Sequence, residues 1–454
     1  MISLVSLIRQ TFKGNNPVQK PEWARQYDEY RGQPAGKSFC QAPFKSMYFG
    51  HGGKVVTCCI NREYTLGQYP ENGIREIWFG AKADALREYL KNYNLDHGCE
   101  GCKSMILAGN YEAVKVAQYD PLRANRNRYP SVMEFELSNE CNLGCIMCTG
   151  EFSSFIRKHV EKLPPIPSVY DSEFIRQLEE FIPYLEETKF YGGEPFLVPI
   201  YQEIWDLIIK LNPKTRISVQ TNATILTERI KNLLEGGMFH INVSIDSLQK
   251  ERYESIRRNA VFEKVMENIR HLRAYTLRKN TFFGLSFCLM RNNWDEAPDF
   301  IRFCNALGCK AYFHTVHTPR PLALMTWDAP SLRHILGTFA RTTFEADTEV
   351  SRENVRHFEH WIRQVQQWMQ EKETRRMDGS RYMEIIRNRM EDLDDKATEA
   401  LVLEKLEWME GIGFGTRQFD VSPAEMNDTA WVDGMIRLLV SNSNEELLEM
   451  IEHG

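Results

Sequence analysis

ELSNECNLGCIMCTGEF, residues 136–152, places Cys141, Cys145 and Cys148 within eight residues, in a polar stretch that follows the apolar run VMEFEL. A loop at the end of a strand can wrap a metal centre. Three thiolates there suit a four-iron cluster with one iron left open, because such clusters take cysteine sulfur and a missing ligand leaves a site for exchangeable chemistry. The competing reading is three buried cysteines packed as small hydrophobes.

Outward from that loop, short apolar runs alternate with helical patterns from about 131 to 325. The runs are VMEFEL, TKFYG, RISVQ, HINVSI, FFGLSFCLM and KAYFHTV. Repeated β-α units of this kind predict a parallel sheet, and six strands predict a curved partial (β/α)6 barrel of the α/β class. Five of the eleven cysteines fall between residues 38 and 103, around an expected β-hairpin and an amphipathic helix near IREIWFGAKADALREYLKNY. Beyond about 330 the chain is charged and helical, as in WIRQVQQWMQEKETRRM, and holds no cysteine. The expected organisation is an extension at 1–37, a small α+β domain at 38–125, the partial barrel at 126–328 and a helical region at 329–454.

Composition narrows the function classes. The chain has 454 residues, 43% hydrophobic and 26% charged, with a formal charge of −6 and no recurring basic block. That balance excludes binding to nucleic acid through a basic surface. No run approaches the ~18 apolar residues of a membrane span, and MISLVSLIRQTFKGNN lacks the layout of a signal peptide. A cytoplasmic protein without membrane partners is expected, in which eleven cysteines point to metal ligation or catalysis rather than disulfides.

The Cys141, Cys145, Cys148 spacing resembles the hallmark of the radical S-adenosylmethionine (SAM) superfamily. The resemblance implies a 4Fe-4S cluster whose open iron binds the amino and carboxylate groups of SAM. Reductive cleavage of SAM then yields a 5′-deoxyadenosyl radical that takes hydrogen from an unactivated carbon. The family usually carries an aromatic residue before the third cysteine, near the adenine, and here Met147 stands there. Gly192, Gly193, Glu194 and Pro195 are similar to the motif that receives the SAM amino group, with Glu194 as the acceptor for the ammonium and the glycines allowing close backbone approach. SVQTNATIL, with Asn222, looks like the family's third strand, and Ser244 and Asp246 stand where ribose hydroxyls or the SAM carboxylate are bound. Helix capping by Asp246 or Ser247 is the plainer reading. Leu289, Met290 and Asn292 fall at the fifth strand's end, near the expected adenine.

Cys40, Cys58, Cys99 and Cys102 can close around one metal centre, either an auxiliary cluster or a structural zinc. Gly53, five residues before Cys58, the pattern LGQYPENGIREIW and the late cysteine pair resemble the twitch/SPASM auxiliary-cluster modules of radical SAM enzymes. Cys59 points to the opposite face from Cys58 in an extended chain, and is either inert or a hydrogen-atom donor. His314, His317 and Arg320 are softer candidates for substrate contact, while Cys288, Cys304 and Cys309 read as core.

The expected cofactors are two 4Fe-4S clusters, one binding SAM and one auxiliary, together with SAM itself. The expected reaction is oxidative modification of a peptide or protein, supported by a reductant such as flavodoxin or ferredoxin. Dehydrogenation or epimerisation of a small molecule such as a sugar is the alternative. A reading of another class is an iron-sulfur or zinc electron-transfer or regulatory protein.

Overall fold

The computed structural model describes residues 19–32, 38–122, 128–374, 376–390, 396–412, 414, 418–420 and 429–453. The apolar start MISLVSLIRQTFKGNN and most of the expected 1–37 extension lie outside the described residues. The chain divides into two compact units, residues 1–288 with 299–314 and residues 289–298 with 315–454.

Nine strands form one sheet: β1 (Ser46–Phe49), β2 (Lys54–Val56), β3 (Gly67–Gln68), β4 (Val132–Phe135), β5 (Glu187–Phe190), β6 (Arg216–Thr221), β7 (Met238–Ser244), β8 (Phe283–Leu289) and β9 (Lys310–Thr315). Their order is β9-β8-β7-β6-β5-β4-β1-β2-β3. β4 to β9 are the six runs read from the sequence, and β4 through β8 pair in parallel. The sheet is open, with β9 and β3 at its edges.

The small N-terminal domain joins the main sheet: β1 pairs in parallel with β4, placing Tyr48 opposite Glu134. β1 through β3 thus extend the sheet on the side where β4 would otherwise present unpaired backbone groups. β1 lies between β4 and β2, and all four of its residues are buried.

Alternation gives the sheet two unlike faces. On one, Phe49, Phe135 and Phe190 stand in adjacent strands, with ring centroids 5.5 and 5.0 Å apart, and Trp205 of helix Pro199–Leu211 packs on Phe190 and Phe239 at 5.3 Å. The other face is polar, and register aligns Tyr48, Glu134, Lys189, Ser218 and His240 across five strands.

Gly53 explains why the hairpin and LGQYP belong together. Its φ is +89°, and a Cβ there would lie 1.9 Å from the Tyr69 carbonyl oxygen, while its own carbonyl accepts from Tyr69 N–H at 2.8 Å. Gly53→Ala is expected to cost about 3 kcal/mol through clash and left-handed strain, read as a lower denaturant midpoint. The single helix expected over IREIWFGAKADALREYLKNY is two, Ile74–Trp78 and Ala81–Lys91. They part at Gly80, whose extended backbone (ψ 165°) serves as N-cap of the second.

In the second unit, helices Ala329–Phe339 and Glu349–Thr374 meet through Phe339, Phe358 and Trp361. Helices Gly379–Met390, Lys396–Gly411, Thr429–Ser441 and Asn444–His453 share a core that includes Met383, Ile386, Leu406 and Leu439. The expected helical C-terminal region is present. It also carries a two-stranded ladder, Arg376–Asp378 with Gln418–Asp420, that the sequence did not announce.

Candidate functional site

The three-cysteine loop leaves β4 and is held from several sides. Ser153 caps helix Ser154–His159 by accepting from Ile156 N–H, and its own hydroxyl donates to Leu143 O at 2.7 Å. Ser154 Oγ accepts from Cys141 N–H at 3.1 Å. Gly144 and Cys145 pair antiparallel with Arg258 and Arg257, and Cys148 N–H donates to Cys145 O. All three thiols remain half-buried.

Burial pushes Cys141 up to about 12 and Cys148 up to about 11, with neighbouring thiols adding to the rise. Burial also raises Cys145, against a lowering by the Arg257 guanidinium. Three partly buried thiols that oppose one another's ionisation suit a cationic centre, whose binding would displace their protons. Met147 lies in the same loop and is half-buried.

Gly192 and Gly193 have φ of +78° and +55°. A Cβ on Gly193 would stand 2.1 Å from Glu140 O, and one on Gly192 2.6 Å from Ser138 O. The glycines thus let the turn after β5 press on the backbone of the cysteine loop. Pro195 is buried beside them. Glu194 is fully buried and accepts from Thr221 Oγ1 at 2.6 Å, Asn222 N–H at 2.6 Å and Phe196 N–H at 3.1 Å. Burial raises its carboxyl to about 7 despite those bonds. Asn222 reaches back to the loop, its Nδ2 lying 3.2 Å from Asn142 Oδ1 and 3.9 Å from Cys141 Sγ.

Ser244 ends β7 and accepts from Gln220 Nε2 at 2.6 Å. Asp246, fully buried, is not a helix cap. Its Oδ1 accepts from Cys288 N–H at 2.7 Å, and its Oδ2 pairs with the Arg257 guanidinium at 2.7 Å. Cys288, expected in the core, instead stands beside this carboxylate, half-buried. Cys304 and Cys309 are buried as expected.

Arg257 was missed in the sequence, hidden in the helical run ESIRRN. It joins Asp246 to the Cys145 loop, with a nitrogen 3.9 Å from Cys145 Sγ, and its Nε is buried without a hydrogen-bond partner. Removing one partner of a buried pair strands the other charge. Arg257→Met is therefore expected to lower folding stability by about 3–5 kcal/mol, and Asp246→Leu on that background should recover part of the loss in urea unfolding.

Cys40, Cys58, Cys99 and Cys102 line one cavity, with Asn61, Lys115 and Tyr119 also in its wall. Cys40 precedes the short helix Ala42–Lys45 rather than lying on a strand. The sulfurs accept N–H bonds: Cys40 from Ala42 at 3.5 Å, Cys58 from Asn61 at 3.4 Å and Cys99 from Asn61 Nδ2 at 3.1 Å. Such donors favour the thiolate form a metal requires. Cys59 is outside that wall and senses Glu134, Lys189 and Arg62 instead. Among the described residues, no group of three or more His, Cys, Asp or Glu side chains is gathered as one metal ion would require.

The polar face of the sheet carries further groups. Glu136 accepts from Tyr48 Oη and pairs with Arg62 at 2.8 Å. Glu134 accepts from Tyr119 Oη at 3.2 Å and Tyr191 Oη at 3.3 Å, with Lys189 Nζ 3.8 Å away. Asn242 donates to Gln220 Oε1 and Ser286 Oγ, both at 2.6 Å, and His314 Nε2 lies 3.1 Å from Ser286 Oγ. Leu289, Met290, Asn292, His317 and Arg320 belong to the second unit, where Leu289 and Met290 are buried and His317 is exposed with its Nδ1 3.2 Å from Met325 Sδ.

Comparison with known proteins follows the same division. A family model for the radical SAM superfamily matches residues 135–304, and one for the SPASM iron-sulfur cluster-binding domain matches residues 40–103. A probable GTP 3′,8-cyclase of Methanocella arvoryzae is 33% identical over 142 residues, 31% of this chain and 42% of that protein. The GTP 3′,8-cyclase of Listeria monocytogenes is 27% identical over 184 residues, 40% of this chain and 53% of its own. A probable GTP 3′,8-cyclase of Methanosarcina mazei is 26% identical over 288 residues, 62% and 78% of the two chains. The chain spans about half the length of the first two. Among solved structures, anSMEcpe with bound AdoMet is 17% identical, covering 46% of this chain and 59% of that one, with a TM-score of 0.35. Streptococcus suis SuiB bound to SAM is 12% identical, covering 56% and 60%, also at 0.35.

The fold is an open α/β sheet that carries two separate cysteine sets. The chain carries a radical SAM domain over residues 135–304 and a SPASM iron-sulfur cluster-binding domain over residues 40–103, domains that imply SAM and 4Fe-4S clusters, one of them auxiliary. No helix among the described residues is long and apolar enough to cross a membrane.

Proposed function

We propose that the chain oxidises an unactivated carbon of a peptide or protein substrate by radical SAM chemistry. The observation that carries this reading is the pair of separate cysteine sets on one sheet: three thiols in the loop after β4, and four around a cavity beside β1 and β2. In this reading Cys141, Cys145 and Cys148 hold the SAM-binding cluster, and Cys40, Cys58, Cys99 and Cys102 hold the auxiliary one. The bound groups would supply an electron and the hydrogen-abstracting fragment of SAM. Glu194 takes the SAM ammonium, and Arg257 offers a cation to its carboxylate. In the same reading Asn222, Ser244 and Asp246 would serve the ribose and carboxylate of SAM. Four thiolates close the auxiliary centre and suit it to accepting an electron. A single zinc would need its four thiolates drawn around one ion, whereas a cluster holds each on a separate iron, which favours the cluster here. The low-potential electron would come from a flavodoxin or ferredoxin.

The polar face speaks to substrate class. Glu134, Glu136 and Glu187 lie there, and the cations Lys189, Arg62 and Arg216 each stand on one of these carboxylates. Such a surface receives neutral or cationic groups more readily than a triphosphate, which calls for unpaired Arg or Lys. This favours a peptide over the nucleotide named in the relatives' reaction.

The test is 5′-deoxyadenosine formation by the reconstituted, dithionite-reduced protein, with GTP and with short peptides encoded beside its gene as probes. Cleavage of SAM, unaffected by GTP and accelerated by a peptide that loses two hydrogens, is the expected result. Acceleration by GTP would return the chain to the relatives' reaction, and no cleavage at all would leave the electron-transfer reading.

A further inference from the structure

Two cavities in the first unit are joined by one side-chain bridge. The cysteine-lined cavity has Tyr119 in its wall. A second cavity, of about 530 Å³, lies on the polar face against Tyr191, Ser218, Gln220, His240, Asn242 and Tyr312. Between them stands Glu134, 1% exposed, with Tyr119 Oη donating to Oε1 and Tyr191 Oη donating to Oε2. Ser46 Oγ donates to Oε1 at 3.3 Å. Lys189 forms an ion pair with the carboxylate at 3.8 Å, beyond hydrogen-bond distance.

Oxidation of a substrate radical releases one electron and one proton. An electron moving alone into the cysteine cavity would add buried negative charge beside a buried carboxylate, an uncompensated arrangement that low-dielectric surroundings penalise. A proton moving the same way removes the penalty. Resting on the oxidative reading above, we propose that Glu134 takes up the proton when the four-cysteine centre gains the electron, with Tyr191 as the link from the second cavity. The substrate radical forms a double bond to a neighbouring nitrogen or oxygen as that atom's N–H or O–H bond breaks. Its proton passes to Tyr191 Oη, whose own proton moves to Glu134 Oε2. Cys40, Cys58, Cys99 and Cys102 would hold the centre that supplies the electron acceptor, and the hydrogen atom abstracted first would stay on 5′-deoxyadenosine.

The test needs no substrate. Reduced-minus-oxidised infrared difference spectra of the reconstituted holoprotein, with dithionite as reductant, are expected to gain a protonated-carboxyl stretching band that shifts in deuterated water. The band is expected to vanish in Glu134→Gln and to persist in the full-length variant with Cys141, Cys145 and Cys148 changed to Ala. In Tyr191→Phe and Tyr119→Phe, each short of one hydrogen bond to the carboxyl, it should move in frequency. These two variants serve if Glu134→Gln does not fold. Absence of the band in the wild type, its survival in Glu134→Gln, its loss in the cysteine variant, or a frequency unchanged from wild type in both Tyr variants would overturn the proposal. Failure of the oxidative reading would appear instead in SAM cleavage and product, leaving this band in place.

Discussion

Anaerobically reconstituted protein is expected to carry about eight irons per chain, and the variant with Cys141, Cys145 and Cys148 changed to Ala about four, with SAM cleavage abolished. The loss should be clean because the two cysteine sets share no residue, and the three-cysteine loop is pinned by Ser153, Ser154 and the Arg257 strand rather than by its sulfurs. Changing Cys40, Cys58, Cys99 and Cys102 to Ala should remove the other four irons. It should also destabilise the protein, since these residues wall a cavity that the centre would fill. Cys59→Ala is the sharper control. Cys59 lies outside the cavity wall, so iron content should stay near eight. Iron counts by metal analysis decide: a triple variant that keeps full iron, a Cys59 variant that loses four, or zinc in the native N-terminal site would each sink the assignment.

What the sequence disclosed, and what it withheld, follows from the range of the interactions. The six strands β4 to β9 were legible because each is a local apolar pattern bounded by turn signals. The spacing from Gly53 favoured Cys58 over Cys59; both lie past the end of β2 in a bend rather than on a strand, and Cys59 is outside the cavity wall. The joining of β1 to β4 was not legible, since Ser46 and Val132 are paired across 86 residues and backbone pairing leaves no mark on side-chain type. Arg257 was hidden because RR reads equally as a solvated helix end, and only the fold brings it to Asp246 and Cys145. One missed signal was present. Parallel strands buried on both faces read as continuous apolar runs, yet Glu134, Glu136, Lys189, Ser218, Gln220, His240, Asn242 and Ser244 alternate with apolar neighbours. That period of two announces a polar cavity face, and it went unread because the apolar half of the pattern was sufficient to predict strands.

Glu194→Gln is expected to weaken SAM binding by roughly 10- to 100-fold, the 1.5–3 kcal/mol typical of a hydrogen bond to a charged group, with iron content unchanged. Gln is the better probe than Ala. Ala would leave the Thr221 hydroxyl and the Asn222 and Phe196 N–H groups without their acceptor and confound binding with folding. The wild type should also respond to pH. Burial raises the Glu194 carboxyl to about 7 in the ligand-free protein, so above that value it is a carboxylate able to pair with the SAM ammonium, and below it a neutral acid that cannot. Affinity should therefore fall as pH drops through about 7 in the wild type and stay level there in Glu194→Gln. Stability has the opposite slope. A folded value raised above the usual carboxylate range means that the folded chain holds its proton more tightly, so that contribution is present at low pH and lost as pH rises through about 7. Titration calorimetry with SAM and urea unfolding across this range would read both. Equal affinities for the wild type and Glu194→Gln at pH 8, or a wild-type affinity indifferent to pH, would mean that the ammonium binds elsewhere and that the turn after β5 only braces the cysteine loop.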